Sequence, residues 1–223
     1  RTTEPLLQGY GPDQFISIAE ESGLIRKIDL WVIEQAFIAQ KKLTDLCGFD
    51  GFFAINISAR ELHNDNFVAD LTALFDAYPI EPADVELEIT ETVFLNEGED
   101  TDAMLTNLKS IGVRLALDDF GTGYSSLTQL RSFPFDRLKV DRSFIRDLPQ
   151  SAQSLAILRS VIGLGRSLGI AVTAEGVETA DQMRLLILEG CNSAQGYLIG
   201  KPQEAAAYTK LIANPPLEGL GLT

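Results

Sequence analysis

The sequence predicts an α/β fold built on parallel strands, a (β/α)8 barrel in preference to an open, doubly wound sheet. Three observations predict it. Short apolar or β-branched runs alternate with amphipathic stretches of helical length along the whole chain, which is the grammar of βαβ units. Gly112, Gly169 and Gly190 each follow a helical stretch and precede a strand, where a left-handed cap is wanted. Six successive strands also aim a polar side chain inward near their C-terminal ends, the end at which barrel active sites are built. At 223 residues and 24.4 kDa the chain has the size of one compact barrel, and residues 1–223 are read as a single domain.

The elements follow in order. Pro12 to Gly23 has a proline in its first turn and a glycine at its end, the punctuation of a helix. Residues 28–42 form a second helix, with Ile28, Trp31, Val32, Ala36 and Phe37 at helical spacing. Then come a strand at 52–58 (FFAINIS), a helix at about 60–77, a strand at 85–90 (VELEIT), a helix at about 99–110 and a strand at 114–120 (RLALDDF). A helix at about 124–132, a strand at 137–141 (RLKVD), a helix at 151–168 and a strand at 170–176 (IAVTAEG) continue the pattern. A helix at 179–189, a short strand at 193–197 (SAQGY) and a helix at about 203–213 end it. Six strands are too few for a complete barrel, so a first strand is expected upstream of residue 1. With no initiator Met, the chain is expected to be a segment of a longer multidomain protein.

Composition narrows the chemistry. Eighteen basic against 32 acidic residues give a net charge of −14, a field that repels polymeric nucleic acid and leaves any phosphate ligand in need of cations. The single histidine, His63, excludes His-rich zinc sites and the HExxH helix, so carboxylates must carry the reaction. Cys47 and Cys191 show no CxxC spacing and read as reduced thiols, which suits a cytoplasmic location. No apolar run approaches a membrane span, and the first residues lack the pattern of a signal peptide.

Strand parity then separates helix-facing from inward-facing residues. Val85, Leu87 and Ile89 face the helices, which turns Glu86, Glu88 and Thr90 inward. By the same rule Asn56, Ala116, Asp118, Lys139, Glu175 and Gln195 point inward, with Asp119 at a strand exit. A lone inward polar residue is often a satisfied hydrogen bonder, and Lys139 alone could simply pair with a carboxylate. Four carboxylates, an amide and a lysine at one rim are another matter, because like charges that close do not all stay ionised without cations. An all-oxygen donor set points to Mg²⁺ or Mn²⁺, and adjacent aspartates invite two ions sharing one carboxylate.

With DDFGTGYSSL (118–127), NIS (56–58), ELEITE (86–91), KVD (139–141), AEGVET (174–179) and QGYLIGKP (195–202) in order, nearly the whole chain resembles the EAL domain family. The resemblance implies a (β/α)8 TIM-like barrel with an atypical first strand, inside a longer bacterial signalling protein. It implies hydrolysis of cyclic di-GMP to linear pGpG by two-metal phosphodiester cleavage, with Mg²⁺ or Mn²⁺ as cofactor and Ca²⁺ inhibitory. Carried over by position, Asn56, Glu88, Asp118, Asp119 and Glu175 look like metal ligands, Asp118 bridging both ions. Lys139, Glu175 and Asp118 form the catalytic group, Lys139 orienting the attacking water or helping to deprotonate it. Gln195 and Glu178 look like substrate contacts, although Glu178 equally suits a helix N-terminus. Glu91 resembles the glutamate that holds the loop 121–126, its alternative being a solvated strand-end charge.

One departure matters. The family's ExLxR motif is absent, and Arg1 falls where its arginine stands, so the motif's metal-binding glutamate is expected four positions upstream of residue 1 and Arg1 against a phosphate. The family also implies a homodimer, with the segment 124–132 at its interface, and covalently linked sensory or GGDEF-type domains upstream. The alternative from another class is an inactive receptor that captures cyclic di-GMP and passes the signal on.

Overall fold

The computed structural model describes residues 11–95, 99–123, 130, 133 and 135–213. Six strands form one sheet: β1 (Phe53–Asn56), β2 (Val85–Thr90), β3 (Arg114–Phe120), β4 (Arg137–Val140), β5 (Ala171–Ala174) and β6 (Ser193–Ala194). All neighbours are parallel and the spatial order is the chain order. A doubly wound sheet reverses its strand order at a switch point. This sheet does not, and the described strands form a parallel half-barrel.

Strand parity holds in three dimensions. Val85, Leu87, Ile89, Leu115, Leu117, Leu138, Val140 and Val172 are all buried and join Ile33, Phe37, Phe67, Leu105 and Leu158 from the helices in one core. Glycine caps close the helices Pro12–Ser22, Ala152–Leu168 and Ala180–Glu189, each in the left-handed conformation.

The differences from expectation have local causes. The helix expected at 60–77 is two pieces, Ala59–Leu62 and Phe67–Ala77. The Asn64-Asp65-Asn66 run breaks it, the Asn64 side chain accepting from Asn66 N at 3.2 Å and donating to Glu61 at 2.7 Å. The second helix is longer than its apolar repeat, Ile25–Cys47. Two five-residue helices, Glu91–Leu95 and Arg142–Arg146, begin directly at strand exits and are too short to show a period. The strand expected at 193–197 shrinks to Ser193–Ala194, and the last helix becomes a 3₁₀ turn, Ala205–Ala207, followed by Tyr208–Ala213. The helix expected at 124–132 falls, but for Leu130, outside the described residues.

Beneath the rim lies an inward polar layer. Arg137 on β4 reaches Glu86 on β2 at 2.8 Å, Thr173 at 3.0 Å and Ser193 at 2.9 Å. Its guanidinium and that of Arg114 lie 5.0 and 4.9 Å from the centre of the Phe52 ring. The β3 residue in register between Glu88 and Arg137 is Ala116, whose small side chain leaves room for contacts spanning β2 to β4. Arg137→Met would leave the Glu86 carboxylate buried without its partner, a loss of about 3 kcal/mol. Urea unfolding should register it, and the double change Glu86→Leu with Arg137→Met should recover most of it.

Candidate functional site

Two residues above that layer, the same strands build the rim. From β2 comes Glu88, from β3 Asp118 and Asp119, from β4 Lys139, and from the end of β5 Glu175. Lys139 Nζ lies 2.6 Å from Glu88 Oε1, 2.6 Å from Glu175 Oε1 and 3.2 Å from Asp118 Oδ2. The ammonium is almost out of water, its side chain 4% exposed.

The electrostatics follow from this packing. Burial pushes the Glu88 and Glu175 carboxyls up, against the lowering influence of Lys139. Burial alone would lower Lys139, but Glu88 and Glu175 overcome it and hold the ammonium well above its ordinary value. Asp119 is raised by burial and by the neighbouring carboxylates of Asp118 and Asp141.

Asp119 has φ 55, the left-handed region that a non-glycine residue seldom occupies. The turn is held from several sides. Asp119 N donates to Asp118 Oδ1 at 2.9 Å, and Thr122 Oγ1 donates to Asp119 O at 2.9 Å. The fully buried Glu91 accepts from Gly121 N at 2.8 Å and Gly123 N at 3.1 Å. Gly121 has φ 98, and an added Cβ would meet Phe144 at 3.0 Å. Glu91 is therefore tied to the loop after β3, and the reading of it as a solvated strand-end charge does not hold.

The other expected residues are distributed around this centre. Asn56 stands exposed at the end of β1, in register with Glu88. The exit of β1 is pinned by Asp29 Oδ2, which accepts from Ser58 N at 3.2 Å and from Ser58 Oγ. Gln195 is exposed at the end of β6, placed by Gln195 N donating to Ala174 O at 2.8 Å. Glu178 both precedes the helix Ala180–Glu189 and lines a recess of about 550 Å³ beside the cluster, with Asp141, Arg142, Ser143, Arg146 and Gly176. Arg1 lies outside the described residues.

Asp141, Arg142 and Arg146 have no role expected from sequence alone. Asp141 shares the inward parity of Lys139, which was the available signal. Arg142 and Arg146 sit on the short helix that Asp141 caps, its side chain accepting from Ser143 N at 2.9 Å. Gly176 has φ 70, and a Cβ there would lie 2.6 Å from Arg142 Cβ, so the recess depends on that glycine.

The donor set suits hard divalent cations. Asp118, Asp119 and Glu175 each offer a carboxylate oxygen, and these oxygens lie within 4.8 Å of one another. The recess beside them carries two arginines, the side chains that pair with phosphate.

Comparison with known proteins places this arrangement. The EAL domain model matches residues 1–202, and the chain belongs to the EAL domain family. MucR of Pseudomonas aeruginosa, a bifunctional diguanylate cyclase/cyclic di-GMP phosphodiesterase, is 37% identical over 202 residues, 91% of this chain and 30% of MucR. The solved PaMucR phosphodiesterase in complex with c-di-GMP matches at a TM-score of 0.84 and 36% identity, covering 92% of this chain and 83% of that one. BlrP1 of Klebsiella pneumoniae, solved with manganese and c-di-GMP, matches at a TM-score of 0.76 and 34% identity over 87% of this chain and 49% of that one. A calcium and c-di-GMP complex of BlrP1 matches at a TM-score of 0.77. The chain spans between 24% and 34% of the length of its curated relatives.

The Glu91 clamp makes a prediction of its own. Glu91→Ala removes the acceptor of two amides, each hydrogen bond to a charged group contributing about 1.5–3 kcal/mol. Hydrogen exchange at Gly121 and Gly123 should quicken by at least about tenfold, while amides of β2 keep their protection.

Proposed function

We propose that this domain hydrolyses cyclic di-GMP to linear pGpG with two Mg²⁺ or Mn²⁺ ions. The observation that carries the reading is the convergence of Glu88, Asp118 and Glu175 on Lys139, with Asp119 beside them, at the C-terminal ends of parallel strands. The named activity of MucR and the c-di-GMP bound in the PaMucR and BlrP1 structures support the choice of substrate. The manganese in BlrP1 supports the choice of metal.

Each residue has a task in this reading. Asn56, Glu88, Asp118, Asp119 and Glu175 would hold the ions. Bound there, divalent ions supply a more acidic water and a counter-charge for the phosphate in flight. Glu88 and Glu175 favour the ammonium form of Lys139, whose part would be to orient the attacking water by turning to it one of the three N–H donors that reach Glu88, Asp118 and Glu175. Glu175, 2.6 Å from Lys139 Nζ, would work with it on the attacking water. Arg142 and Arg146 would face phosphate or guanine in the recess that Glu178 lines, and Gln195 would contact the ligand at the β6 edge.

The setting of the domain is part of the same proposal. MucR's name joins a cyclase to a phosphodiesterase, which supports work alongside other signalling domains, and in the family manner as a homodimer. Cys47 and Cys191 are both free, in keeping with a reducing cytoplasm. No helix among the described residues is long and apolar enough to cross a membrane.

Lys139→Ala tests the assignment directly. Turnover should fall at least about a hundredfold while cyclic di-GMP affinity stays within about tenfold, as for a lost proton-handling or water-holding group. Turnover near that of the unaltered protein would reduce Lys139 to a counter-ion. Calcium should support binding in calorimetry without supporting turnover, because its looser coordination misplaces the water.

A further inference from the structure

Lys139 touches three of the carboxylates read as ligands of divalent ions, two of which, Asp118 and Glu175, also belong to the trio of oxygens that could share one ion. Its Nζ is within 3.2 Å of Glu88, Asp118 and Glu175, with two of those contacts at 2.6 Å. From the elements packed around it, the facing groups are Glu88 from β2, Asp118 and Asp119 from β3 and Glu175 at the end of β5, while Asp141 at the end of β4 caps the next helix beside Arg142. Four carboxylates against one ammonium leave three negative charges when all are ionised. Arg137, the next cation down β4, is already committed to Glu86, Thr173 and Ser193.

We infer that Lys139 is a built-in competitor for divalent cations: it stabilises the carboxylate cluster when such ions are scarce, and it weakens their binding when they arrive. The inference rests on reading Glu88, Asp118 and Glu175 as metal ligands, and it concerns affinity and stability rather than hydrolysis. Without the lysine the same site holds one more negative charge and grips cations harder. A cation at contact distance shifts a carboxylate's binding of another cation, the proton, by about one to three powers of ten. The lysine thus sets the divalent concentration at which the site fills.

The test uses Mn²⁺ alone, with free ion counted by electron paramagnetic resonance and thermal unfolding followed with chelator or with Mn²⁺. Lys139→Met should bind Mn²⁺ at least about tenfold more tightly than the unaltered chain. It should unfold at a lower temperature in chelator and regain that loss in Mn²⁺. Lys139→Gln, which keeps a polar group at the site, should shift both quantities in the same direction. Equal or weaker Mn²⁺ binding in the neutral variants overturns the inference, and so does a neutral variant that stays unfolded at saturating Mn²⁺. Asp118→Asn checks the underlying reading separately. If that variant still binds Mn²⁺ like the unaltered chain, the ions sit elsewhere, whatever the lysine variants do.

Discussion

Glu88, Asp118 and Glu175 converge where water is largely excluded, and three anions that close are tolerable only with a cation among them. Lys139 supplies it, with contacts of 2.6, 3.2 and 2.6 Å. The rest of the mouth is arranged around that requirement. Strand β2 carries two inward carboxylates, Glu86 and Glu88, and β4 carries two inward cations, Arg137 and Lys139, each pair two residues apart. The lower pair closes on itself and on Thr173 and Ser193, so the upper lysine is left to the rim. Ala116 between them is what lets side chains of β2 and β4 meet across β3.

The rim also stores backbone strain. Asp119 in the left-handed region costs about 1 kcal/mol, and such a residue persists only when its surroundings fix it. Here Asp118, Thr122 and the Glu91 clamp on Gly121 and Gly123 do so. The consequence is functional: the turn swings the Asp119 carboxylate beside those of Asp118 and Glu175 instead of letting it alternate away to the helix side. Fold and site are therefore coupled at Glu91, which reaches from the exit of β2 to the loop after β3.

Much of this was legible in the sequence because parity along a buried strand is a strict period of two. β2 and β3 were bounded to the residue, and the inward placement of Glu88, Asp118, Lys139 and Glu175 followed from their apolar neighbours. What parity could not give was distance. That Lys139 touches three carboxylates depends on strand stagger and on the small Ala116, which no local pattern encodes. The short helices at 91–95 and 142–146 escaped because five residues show no helical period. With them went Arg142 and Arg146, and the recess they line. Asn64 and Asn66 were available as breakers, yet the apolar repeat on either side carried the helix straight through them.

The account stands on the claim that the carboxylates around Lys139 form a metal-dependent hydrolytic centre. The most direct measurement is product analysis of cyclic di-GMP incubated in Mn²⁺ with the unaltered full-length protein and with its Asp118→Asn variant, whose side chain keeps its shape and loses its charge. The account predicts linear pGpG from the former and a loss of at least about a thousandfold in rate from the latter, on the scale of a lost charge-stabilising group. Comparable rates from both, or tight binding without any product from the unaltered protein, would contradict it.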